Sequence, residues 1–150
     1  MNDLLIRFWR WFEIAPEQYS IEGAPQIHGH EEDDFPYFDQ LLMCAQKIVD
    51  DNDLTEGAIS DLLTVMAIDN ESESVSEYIQ ENSSPKQIEQ IVKIGIEHMQ
   101  FNARWQLSEI IINRKPKGYF FYLDRLCHDD HPYVSSRAKS CMERVRYKTN

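Results

Sequence analysis

Apolar residues recur along most of this chain at the three- and four-residue spacing of a helix face, not in the alternation of a strand. Leu4, Phe8, Trp11 and Ala15 form the first such stripe, with Leu5 and Phe12 beside it, and predict an opening helix that docks on the rest of the domain. Pro16, Gly23, Pro25 and Gly29 then break the pattern, so 16–36 reads as a long connection with a short extended piece around Tyr19 to Ile21. Connections of this length inside compact domains are uncommon and often functional.

Helix-sized segments follow. Phe38, Leu41, Leu42, Ala45, Ile48 and Val49 keep the helical period up to Asp50-Asp51-Asn52, after which Asp53 or Thr55 is placed to cap a helix carrying Ile59, Leu62, Leu63, Met66 and Ala67. A weaker segment holds Val75, Tyr78 and Ile79. Ser83-Ser84-Pro85 reads as an N-cap with proline at the first helical position, opening a helix that runs through Ile88, Ile91, Val92, Gly95 and Met99. Phe101 to Asn113, Gly118 to Cys127 and Pro132 to Tyr147 complete the set. Eight helices with no useful strand-like alternation predict an all-α fold of stacked antiparallel helical hairpins, a single domain over 1–150. At this length about 70% of the unfolded surface is buried, enough for a core without staples.

The three cysteines, Cys44, Cys127 and Cys141, are odd in number and lack a CxxC pairing, which fits reduced thiols and a cytoplasmic chain. The apolar start is not expected to be a secretory signal or membrane span, because Arg7 and Arg10 interrupt the run and Asp3 precedes it. A helix lying on a membrane surface is the alternative for that segment, although such helices usually carry more Lys and Arg.

The C-terminal third adds a resemblance. Leu123, Leu126, Asp129, Pro132, Val134, Ala138, Met142 and Val145 stand at spacings similar to those of the HEAT-repeat family, in which two antiparallel helices are joined by a D-x-x-P-x-V-R-x-x-A turn. Asp129 would accept from free amides at the next helix start, where Pro132 has none to leave unpaired. Ser135 stands where the family commonly has arginine, with Arg137 close by. Phe101, Arg104, Trp105, Ser108 and Ile112 match Val134, Arg137, Ala138, Cys141 and Val145 at an offset of 33 residues. The clearest repeats therefore fall in 85–147, and the resemblance implies a HEAT-like α-solenoid of about four helix pairs acting as a binding scaffold, not an enzyme.

Charge divides the chain. Its net charge is −11, yet Glu13 to Glu81 holds 18 Asp and Glu against the single Lys47, a net −17, while Phe101 onward holds ten Lys and Arg against five Asp and Glu, a net +5. The acidic stretch repels nucleic acid and anionic lipid and favours a basic protein. The bland alternative is a solvated face that only maintains solubility. The basic third lacks a groove-reading motif, so no nucleic-acid partner is expected.

Other chemistry is thinly supported. Cys127-His128-Asp129-Asp130-His131 and His28-Gly-His30 offer ligand types without a closed four-ligand spacing, and no phosphate loop, nucleophile elbow or HExxH occurs. No metal, cofactor or catalytic residue is expected. Tyr119-Phe120-Phe121-Tyr122 cannot all face one side of a helix, so part of that run should line a surface.

A small, acidic, non-catalytic chain with a HEAT-like end is similar to bacterial immunity proteins of the contact-dependent growth inhibition type. That resemblance implies a 1:1 complex with a basic toxin, a nuclease in the first instance. The expected contacts are Glu31, Glu32, Asp33, Asp34, Asp50, Asp51, Asp53, Asp69, Glu71, Glu73 and Glu77, with Tyr78 as an aromatic anchor. The competing expectations are a general repeat adaptor and, more remotely, a metal-dependent hydrolase.

Overall fold

The computed structural model describes residues 1–23, 30–51 and 54–148, and over these the fold is all-α with no strand. Nine α-helices occur among the described residues: α1 (Asn2–Phe12), α2 (Pro16–Glu22), α3 (Phe38–Asp50), α4 (Glu56–Ile68), α5 (Ser74–Asn82), α6 (Pro85–Gly95), α7 (Phe101–Arg114), α8 (Tyr119–Cys127) and α9 (Pro132–Lys148). A 3-10 turn at Glu32–Asp34 precedes α3.

Alternate helices pack on one another, which produces two layers. α3 packs on α5, α5 on α7 and α7 on α9, while α4 packs on α6 in the second layer, and α4 also reaches across to α3, α5 and α7. α8 closes the end against α7 and α9. The opening helix docks as expected, α1 on α4, and α2 lies against α7. Leu5, Phe8 and Phe12 of α1 are buried, Phe8 stacking on Phe12 at 5.2 Å and meeting Phe35 edge-on at 5.4 Å. Each such aromatic side chain contributes about 1.5–3 kcal/mol by leaving water.

α7 is buried almost all round: Asn102, Ala103, Trp105, Gln106, Leu107, Ser108, Ile110 and Ile111 are all inside. Two of its polar members find partners inside: Gln106 Nε2 donates to the Met66 carbonyl of α4 at 2.7 Å, and Asn102 Oδ1 accepts from Trp105 Nε1 at 3.1 Å. Gly95 brings α6 in close. A Cβ there would stand 2.5 Å from Leu107 Cδ1 and 3.3 Å from both Leu63 methyl carbons.

Local signals account for most boundaries. Thr55 caps α4 by accepting from the Ala58 amide at 3.2 Å. Ser84 and Gln87 form a reciprocal capping box at the start of α6, with Pro85 at the first helical position. Asp129 accepts the His131 amide at 2.9 Å just ahead of α9.

Three expectations are corrected. The opening helix stops at Phe12, short of Ala15, because Glu13 takes the left-handed conformation (φ 56°). Pro16 to Glu22 is helical, so Tyr19 to Ile21 is not extended: Pro16 sits at a helix start, and Gly23 (φ 68°) ends the helix. α6 ends at Gly95 and does not run to Met99, since Arg104 Nη1 draws in the carbonyls of His98 and Met99 at 2.6 and 3.0 Å.

Candidate functional site

The acidic residues named from sequence are carried mainly by the α3–α5 layer and the turns beside it. The 3-10 turn is set by its own box: the Glu31 amide donates to Asp34 Oδ2 at 3.0 Å, and the Glu31 side chain accepts in return. This packs the turn on α3 and leaves Glu31, Asp33 and Asp34 exposed. The His30 ring lies tilted against Trp11, with ring centroids 5.5 Å apart, and its Nδ1 lies 3.9 Å from Asp34.

Two of the expected contacts turn inward. Glu32 is buried and accepts from the Tyr19 hydroxyl at 2.7 Å, with Asn70 Nδ2 at 3.4 Å, and burial raises the Tyr19 phenol well above its usual range. Asp69 is also buried and accepts the Val75 amide at 2.8 Å. It therefore stabilises the start of α5, where Glu73 is left-handed and offers no side-chain cap. Desolvation pushes the Asp69 carboxyl up to about 6, and the nearby Glu73 and Glu77 add to that rise. As internal acceptors, Glu32 and Asp69 hold the site together and are not surface contacts.

Around them the structure gathers a small open pocket. Asp33 from the turn and Glu71 and Ser72 from the α4–α5 connection line it, over Phe38 and Ile68. Glu71 and Glu77 are exposed and Glu73 is half-buried. Asp39, in the first turn of α3 beside Phe38, is an exposed carboxylate of the same run that was not singled out from sequence.

A second acidic group lies at the far end of α3. Gln87 Nε2 donates to the carbonyls of Val49 and Asp51 at 2.7 and 2.9 Å, which fixes the end of the helix and with it the exposed Asp50 and Asp51. Asp50 accepts from the half-buried Tyr78 hydroxyl at 2.9 Å, and that hydrogen bond raises the Tyr78 phenol. Asp53 and His28 lie outside the described residues.

The two ends of the molecule treat their charges differently. None of the carboxylates from Glu31 to Glu77 has a lysine or arginine partner among the described residues. In the C-terminal third, Arg104 holds Asp129, Arg125 holds Glu97, and Arg137 and Arg144 both hold Glu109. Arg137 also lies over the Trp105 ring, 4.7 Å from its centroid.

The cysteines are free thiols, Cys127 and Cys141 buried and Cys44 half-buried. Burial lifts the Cys141 thiol to about 11, away from nucleophilic use near neutral pH. His128 is exposed at the end of α8, with Nδ1 2.8 Å from the Asp124 carbonyl. Among the described residues, no three His, Cys, Asp or Glu side chains come together in a way that could hold a metal ion. No helix among them is long and apolar enough to cross a membrane.

Comparison with protein-family models, curated proteins and solved structures found no match.

Proposed function

We propose that this protein is a non-enzymatic binding module whose acidic α3–α5 layer takes a basic protein, in the manner of an immunity protein that occludes the substrate surface of a toxic nuclease. The observation that carries this reading is the set of exposed carboxylates, Glu31, Asp33, Asp34, Asp50, Asp51, Glu71 and Glu77, without a lysine or arginine partner among the described residues, while Asp129 and Glu109 of the C-terminal third hold arginines. Unpaired like charges on adjacent elements repel, and a basic partner relieves that repulsion and is steered in by it. A nuclease surface built to hold phosphates has the complementary sign.

The HEAT-like reading is supported by the alternation of helices between two layers and by the α8–α9 hairpin, where Asp129 caps the second helix and Val134, Ala138 and Cys141 are buried. Stacked hairpins of this kind present extended surfaces to partners. A general adaptor shares that architecture, and gene context separates the two, since an immunity protein is encoded beside its toxin.

The test is co-expression with the neighbouring gene product, followed by binding kinetics at low and high salt. A tight 1:1 complex whose association slows with salt is expected, slowed again by reversing Asp33, Asp50, Glu71 and Glu77 to lysine together. Tyr78→Ala should weaken the complex by at least about tenfold if the ring anchors the partner. A complex indifferent to all of these substitutions would remove the acidic layer from the interface.

A further inference from the structure

The basic third borders a second surface that the acidic layer does not explain. Its arginines are spent inside the protein. Arg104, Arg125, Arg137 and Arg144 pair with carboxylates, and Arg114 donates to the carbonyls of Gln80 and Ser83 at the end of α5. Lys86, Lys93 and Lys117 are different: all three are exposed and make no ion pair among the described residues. They meet along one open groove of about 350 Å³, completed by Glu89, Gln90 and Tyr122. α6 forms one wall of the groove, and α8 with the residues leading into it forms the other.

Apolar surface adjoins these lysines. α8 buries Leu123, Leu126 and Cys127, and of its run of four aromatics Tyr119 and Tyr122 pack partly on the core while Phe120 and Phe121 stay outside. Phe121 stays 63% exposed and Phe120 48% exposed. The Phe121 ring meets Tyr122, which lines the groove, edge-on at 5.6 Å. Lysines lining a groove whose neighbouring surface is aromatic suit a ligand that carries carboxylates and apolar side chains together.

We propose that the α6–α8 groove is a docking site for an acidic peptide segment of a partner protein, one in which carboxylates alternate with apolar residues. Charge complementarity decides the occupant. A basic toxin is repelled by the three lysines, so this site takes something other than what the acidic layer takes and does not depend on that reading. A bilayer of anionic lipid is disfavoured because the groove is concave, carries Glu89 among its lysines and belongs to a chain of net charge −11. An extended peptide can place its carboxylates on the lysines, avoid Glu89 and rest an apolar side chain on Tyr122 and Phe121.

The experiment titrates the whole protein into a fluorescein-labelled peptide of alternating Glu and Leu and reads anisotropy. Saturable binding that weakens with salt is expected. It should fall at least about tenfold in the Lys86→Glu, Lys93→Glu, Lys117→Glu triple variant. The uncharged change Phe121→Ser should weaken it as well, with circular dichroism confirming that both variants stay helical. The proposal is overturned by an absence of saturable binding or by equal binding to the triple variant. It is also overturned by binding to phosphatidylserine vesicles in place of the peptide, or by lysine-dependent self-association in sedimentation, which would make the occupant a second copy of the chain.

Discussion

Arg104 and Asp129 form a two-point ion pair between α7 and the α8–α9 turn, Nε to Oδ2 at 2.7 Å and Nη2 to Oδ1 at 3.0 Å, with both side chains mostly shielded from water. The same Asp129 oxygen that takes Nη2 accepts the His131 amide, and the same guanidinium takes the carbonyls that end the α6 region. One pair therefore ties together three chain segments.

Asp129→Ala should accordingly cost about 3–5 kcal/mol, because it removes a cap and leaves a shielded guanidinium without its counter-charge. Arg125, which pairs with Glu97 at the surface, is the control: Arg125→Ala should change stability by less than about 1 kcal/mol. Urea denaturation of both variants checks the contrast.

Two buried groups make the stability respond to acid in opposite directions. Asp69 titrates near 4 when unfolded and about 6 when folded, so its contribution is full below pH 4 and is lost as pH rises through 6. His98 is held neutral by burial, with its pKa lowered to about 4, so its contribution is full above about pH 6.5 and is lost as pH falls through 4. Asp69→Asn keeps an acceptor for the Val75 amide and removes only the first effect. Its melting temperature should therefore fall more steeply than that of the parent between pH 6.5 and 4, and should be higher than that of the parent at pH 7.

Tyr19→Phe deletes one oxygen and leaves the buried Glu32 carboxylate with Asn70 as its remaining side-chain donor. A loss of about 1–3 kcal/mol is expected. Tyr19→Phe combined with Glu32→Gln should recover part of it, since the buried charge is then gone. Thermal melts of the single and double variants measure that recovery.

Gln87→Ala removes the amide that holds both Val49 and Asp51 carbonyls, loosening the end of α3. The expected cost is about 1–3 kcal/mol. Hydrogen exchange should show faster protection loss at the last turn of α3 than at α8.

Much of the fold was legible because its signals are local. Ser83, Ser84 and Pro85 announce α6 within three residues, and Asp129 with Pro132 announces α9. Pro16 reads two ways, because the same residue that breaks a helix interior also suits its first turn, and only Gly23 seven residues later marks the other end. The candidate site was half legible. Glu32 and Asp69 look like their neighbours in an acid-rich stretch, and what takes them inside is a tyrosine thirteen residues before Glu32 and an amide six residues beyond Asp69. The lysine groove was not legible at all, since Lys86 and Lys117 lie 31 residues apart and come to line one groove only in the folded chain.

The central burial of α7 also sets a timetable for synthesis. α4, α5 and α6 each cover part of that helix, so in a chain grown only as far as α6 the apolar faces they turn to α7 have nothing to pack against. The acidic stretch precedes α7 in the chain and carries 18 of its 26 Asp and Glu, a charge that opposes association between such unfinished chains.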